Sequence, residues 1–232
     1  MPIARPEYGP SLWELTGPRL RALPRPARLA LIALPVLFVV LVVAVALLRS
    51  TPLTQAVVRG PLTFNTRYDD RVERVAAGPG ELLHLRTKAG PGRGEEDLVF
   101  RDAGAAPPRP EPAGGPVSQL ALRMPTVMRP LQEGLEGKGF QVRSQGRVKI
   151  GRDYAGWLTR YQFRKKDPAG KMATYYGVRV LLLPDARGTK ERVLDMSLQS
   201  EKSQVVANIS DAGGNGPMRT PFYGVAFGTE KP

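Results

Sequence analysis

The chain has 232 residues, no cysteine, one histidine, and 34 Lys+Arg against 21 Asp+Glu, a formal net charge of +13. Without cysteine there is no disulfide framework, thiolate nucleophile or Cys-type zinc site, and a single histidine excludes a His-rich metal cluster. Setting aside one apolar segment near the N-terminus leaves roughly 180 residues, enough for one domain with its own core.

Residues 1–28 form a Pro/Arg-rich tail, and LALIALPVLFVVLVVAVALL at 29–48 is uncharged throughout. As a helix rising about 1.5 Å per residue, that run would cross the roughly 30 Å hydrocarbon core of a bilayer, and a membrane helix tolerates Pro35. Arg19, Arg21, Arg25 and Arg28 precede it, whereas Arg49 and Arg59 are the nearest cations after it. The positive-inside bias predicts a single-pass protein of the cell membrane, with a cytoplasmic N-terminus and an extracytoplasmic C-terminal domain. The run exceeds the about 7–15 apolar residues of a cleaved signal peptide, which favours a retained signal anchor. Residues 49–60 read as a tether.

The exported α+β domain is expected over 61–230. LTFNTRYDD (62–70), ELLHLRTK (81–88) and DLVFRD (97–102) have the bulky and β-branched content of strands, with turn formers between them. AGAAPPRPEPAGGP (103–116) offers little to bury and reads as a Pro/Gly-rich loop. From Val117 the apolar residues Leu120, Met124, Val127, Met128, Leu131 and Leu135 recur at helical spacing. Pro125 and Pro130 restrict the expected helix to 125–136, with an irregular or strand-like piece before it.

Period-two alternation then runs through FQVRSQGRVKIG (140–151), GWLTRYQFRKK (156–166), MATYYGVRVLLLP (172–184) and ERVLDMSLQSE (191–201). Joined by short turns, these predict an antiparallel meander with one wet, arginine-bearing face and one apolar face covered by the helix. A short element near 221–227 presents Phe222, Tyr223 and Phe227 to the core or a sheet edge. The fold class is therefore α+β: an N-terminal single transmembrane helix, then an antiparallel sheet packed against a helix.

No dinucleotide-binding, Walker-type or nucleophile-elbow glycine motif occurs. His84 alternates with Leu83 and Leu85, with no partner at useful spacing, and reads as structural. The pair Asp69–Asp70 and the run Glu95–Glu96–Asp97 match no calcium-loop spacing and read as solvated turn residues. No catalytic, cofactor-binding or metal-ligating residue is assigned. Positive charge is the remaining signal. Arg143, Arg147, Lys149, Arg160, Arg164, Lys165, Lys166 and Arg179 concentrate in the meander, where paired strands would gather them into a surface for an anionic partner. In an exported domain that partner is an anionic lipid, a wall polymer or an acidic protein surface, and not nucleic acid.

The element order, the Gly139–Phe140 step leaving the helix and the Trp157-to-Phe163 strand together resemble the α+β domains of the PsbP/Mog1/DcrB-like group over about residues 60–230. That resemblance implies a non-enzymatic accessory or binding module, commonly in the cell envelope or attached to a larger assembly. The expectation is a membrane-anchored accessory subunit of an envelope membrane complex, with the bilayer and a membrane or envelope protein as partners. Two alternatives stay open: an envelope hydrolase or transferase built on His84 or a carboxylate pair, and a lipid or small-ligand carrier.

Overall fold

The computed structural model describes residues 24, 34–40, 52–88, 93–107, 115–135, 137–166, 170–184 and 192–229. The chain divides into two compact units, Met1–Thr51 and Pro52–Pro232. In the first, residues 34–40 are helical. This corrects the membrane-spanning helix expected over 29–48, because among the described residues no helix is long and apolar enough to cross a membrane. The seven helical residues described rise ~10 Å, against the roughly 30 Å hydrocarbon core of a bilayer. The rest of 29–48, with Arg19, Arg21, Arg25 and Arg28, lies outside the described residues. The signal anchor, the single-pass topology, the extracytoplasmic placement, the envelope assignment and the bilayer as partner are withdrawn with the spanning helix.

The second unit is α+β. Its elements are β1 (Thr54–Val58), β2 (Phe64–Tyr68), β3 (Val72–Val75), β4 (Glu81–Thr87), β5 (Glu96–Ala105), α1 (Pro116–Gly134), β6 (Gln141–Ile150), β7 (Tyr154–Lys166), β8 (Met172–Leu182), β9 (Arg192–Glu201), α2 (Arg219–Tyr223) and β10 (Ala226–Phe227). A seven-stranded antiparallel sheet runs β3-β4-β5-β9-β8-β7-β6, and a smaller one runs β1-β2-β10. The meander β6 to β9 is continuous, as the alternation predicts. β1 occupies the stretch read as a tether, and β3 was not anticipated. Both are short, and it is pairing to β2 and β4 that holds them extended. The element near 221–227 is two pieces, α2 and β10.

The helix begins at Pro116, nine residues ahead of the expected start, and contains both Pro125 and Pro130. Proline lacks the amide that would bond four residues back, so the carbonyls of Ala121 and Thr126 lose their usual partners. Leu120, Met124 and Met128 are buried and hold the helix against the sheet regardless. The loop expected over 103–116 is shorter than that, because β5 continues to Ala105 opposite Arg192.

The expected wet face of the meander is also corrected. Over β7, β8 and β9 both faces of the large sheet are covered. On one, Leu120, Met124 and Met128 of α1 pack on Tyr161, Phe163, Tyr175, Leu181 and Val193. On the other, Phe64 and Val58 of the small sheet, with Phe222 of α2, join Leu85, Phe100, Val178 and Leu198. The Phe64 and Phe100 rings lie 5.2 Å apart across this second core, and burying each such side chain is worth about 1.5–3 kcal/mol. A strand with cover on both sides reads as a near-continuous apolar run, which is the pattern of VRVLL in β8.

Candidate functional site

Because α1 packs mainly on β7, the half of that sheet face built from β4 and β5 stays open beside it. A groove of about 560 Å³ results, with His84, Arg86, Asp97 and Arg101 on its floor and Val127, Pro130 and Leu131 of α1 as an apolar wall. Its size suits a small ligand, so its chemistry needs separate inspection.

The floor charges pair with one another. His84 Nε2 lies 3.0 Å from Asp97 Oδ1 and its Nδ1 3.4 Å from Glu81 Oε2. Arg86 Nε donates to Asp97 Oδ1 at 2.8 Å, and Arg101 Nη2 to Glu81 Oε1 at 2.7 Å. The sequence reading left His84 without a partner. Antiparallel pairing with β5 supplies Asp97, thirteen residues away, and no local motif could have announced it. The constellation still lacks a nucleophile in reach of the imidazole. Ser197 is two strands over, across Val99, a separation of ~10 Å, and both ring nitrogens already face carboxylates. Among the described residues no group of three or more His, Asp or Glu could hold a metal ion.

Arg179, expected on the docking surface, is instead buried, with 8% of its surface exposed. Its Nε and Nη2 donate to the two Asp195 oxygens at 2.9 and 2.6 Å, and its Nη1 to the Val127 carbonyl at 2.7 Å. This fork ties α1 to the sheet, and burial in a pair is the condition under which such charges persist. Beside it, Tyr161 reaches across β8. A Cβ at Gly177 would sit 2.1 Å from Tyr161 Cζ, so only glycine leaves room for the ring. Burial pushes the Tyr161 hydroxyl up from its ordinary value. That hydroxyl comes close to Ser197 and Gln199 yet makes no hydrogen bond of ordinary geometry, and Thr159 Oγ1 beneath the helix also has no partner.

Strand alternation scatters the acidic run. Asp97 faces the groove, whereas Glu96 points into the opposite core, where it accepts a hydrogen bond from Ser200 Oγ at 2.8 Å. Burial raises the Glu96 carboxyl to about 7, against the pull of Ser200 and the Met218 amide. Asp69 is buried at the β2–β3 turn, accepting from the Arg71 amide at 3.0 Å and from its guanidinium. Of these positions Asp70 is an exposed turn residue, as expected, whereas Asp69, Glu96 and Asp97 are not solvated turn residues.

The remaining meander cations gather around the outer edge of the sheet. β6 is the outermost strand and is exposed over most of its ten residues. Its register with β7 sets Arg147 opposite Trp157 and Lys149 opposite Ala155, on the α1 side. Arg143 sits at the irregularity between Val142 and Ser144. On β7, Arg160, half-buried, and Arg164 and Lys166, both exposed, take the opposite side. Lys165 is on the α1 side, its Nζ 5.4 Å from the centre of the Tyr175 ring. Lys149 makes a long, exposed contact of 3.8 Å with Asp153, and Arg147 reaches Ser118 Oγ at 3.4 Å. Among the described residues, Arg143, Arg164, Lys165 and Lys166 have no carboxylate partner. The charge therefore wraps an edge and does not lie on a single face, because consecutive residues of a strand point opposite ways.

No protein-family model matches the sequence, and no curated protein matches it. Among solved structures, the chain is similar to the solution structure of cyanobacterial PsbP (CyanoP) from Synechocystis sp. PCC 6803, with 11% identity, 65% of this chain and 81% of that chain covered, and a TM-score of 0.42. The resemblance to the PsbP/Mog1/DcrB-like group thus has a weak, partial structural counterpart, at an identity too low to transfer the role of any residue.

Proposed function

We propose that this chain is a non-enzymatic accessory domain that docks on an acidic region of a partner protein through the basic edge formed by Arg143, Arg147, Lys149, Arg160, Arg164, Lys165 and Lys166. One observation carries the reading: among the described residues the cations of this edge stand largely uncompensated, whereas those of the groove are each paired within the fold. Uncompensated positive charge on a surface attracts anions and speeds their encounter. Internally paired charge has little left to offer a ligand. Arg179 does not belong to this surface, and the partner is a component of a larger assembly.

The test is a titration of the full chain with fluorescein-labelled poly-glutamate, in parallel with anionic phospholipid vesicles and a DNA duplex. The DNA arm belongs there because the expectation against nucleic acid rested on an exported position. Saturable peptide binding that weakens at least about tenfold in Arg143→Glu/Arg147→Glu/Lys149→Glu and falls with added salt is the expected result. Tighter binding to vesicles or duplex than to the peptide, or equal binding by the triple variant, overturns it.

A further inference from the structure

The geometry points to a specific mode for that docking: β6 accepts an acidic, extended segment of the partner as an eighth strand of the large sheet. This inference rests on the basic-edge reading and adds the backbone to it. An outermost strand keeps a row of N–H and C=O groups directed away from its neighbour, unused by the ladder. β6 supplies that row over Gln141–Ile150, whereas the opposite edge, β3, is only the four residues Val72–Val75. Midway along β6, the place where a Cβ of Gly146 would stand has nothing within 4 Å, so the face of the strand there is uncovered.

Charge selects the occupant. Lysine and arginine on an edge strand repel a second copy of the same edge, the usual protection against self-pairing. The same side chains attract an acidic strand. The register specifies it further, since Arg147 and Lys149 take the α1 side while Val148, between them, packs toward the opposite core. A complementary segment therefore carries Glu or Asp at every second position, facing the α1 side, with small or β-branched residues between. Main-chain hydrogen bonds would supply affinity and the alternating side chains specificity.

Two peptides of equal charge separate the mode from the attraction: an alternating Glu–Thr peptide, and the same peptide N-methylated at every backbone amide so that neither of its edges can donate to a ladder. Each is titrated into the full chain and into Arg143→Glu/Arg147→Glu/Lys149→Glu, with amide hydrogen exchange followed along β6. The expected result is at least about tenfold tighter binding of the unmethylated peptide, together with slowed exchange within residues 141–150. Equal affinity of the two peptides, or unchanged exchange in β6, overturns strand addition even where both peptides respond to the charge reversal. If the triple variant binds both peptides as well as the unaltered chain does, the basic-edge reading falls, and strand addition with it.

Discussion

The two ends of the large sheet use the same residue types to opposite effect. Around β4, β5 and the inner part of β8, arginines and a histidine lie among carboxylates: Arg86 with Asp97, Arg101 with Glu81, Arg179 with Asp195. At β6 and the outer part of β7 the arginines and lysines stand on an edge where, among the described residues, the one ion pair is the long contact of Lys149 with Asp153. The first set is partly or wholly withdrawn from water and needs its partners. The second is hydrated and needs none. Charge on the page of a sequence is therefore not surface charge, and only the uncompensated half supports a docking role.

The largest effect is expected from breaking the compensated half at its most buried pair. Arg179→Met should leave the Asp195 carboxylate, 3% exposed, without its guanidinium and cost about 3–5 kcal/mol in urea unfolding. The double variant Arg179→Met/Asp195→Leu should recover most of that loss; failure to recover would mean that the tie to the Val127 carbonyl matters more than the pair.

Glu96 probes a buried charge with no cationic partner. Its carboxyl is raised from 4.5 to about 7, so the folded state binds the proton more tightly than the unfolded chain. The stabilisation from that proton is fully present below pH 4.5 and is lost as pH rises through about 7, amounting to ~3 kcal/mol at most. Urea midpoints at about pH 5 and about pH 8 should show the decline in the unaltered chain and a flatter profile in Glu96→Gln.

Gly177→Ala should cost about 1–3 kcal/mol, since the new methyl group must displace the Tyr161 ring. Loss of the near-ultraviolet tyrosine signal would accompany it. At the uncompensated edge the expected effect on stability is smallest. Arg143→Glu, Arg147→Glu and Lys149→Glu should each move the unfolding free energy by no more than about 0.5 kcal/mol, while the triple variant loses acidic-peptide binding. A large stability loss there would erase the contrast between the two ends.

Much of the meander was legible because period-two alternation is local: Tyr161 and Phe163 on one side, Leu158 and Val178 on the other, follow from the pleat. Helical spacing announced α1 from Leu120 onward, and reading its prolines as a boundary underestimated what Leu120 and Met124 hold in place. β1 and β3 were not legible, because five and four residues carry too little pattern without their partners. His84 with Asp97, and Arg179 with Asp195, are pairs between strands, and no spacing along the chain encodes them.

By itself, then, the sequence determined the absence of thiol chemistry, the excess of positive charge, and the alternation that makes β6 to β9 a meander. Each of these follows from composition or from contacts between near neighbours. Tertiary structure alone decided that both faces of the sheet's central strands are covered, that Arg179 is interior, and that the free charge lies on an edge. Those outcomes depend on which strands become neighbours, and the side-chain partners that settle whether a charge is spent inside the fold or left for a partner lie eleven or more residues away along the chain.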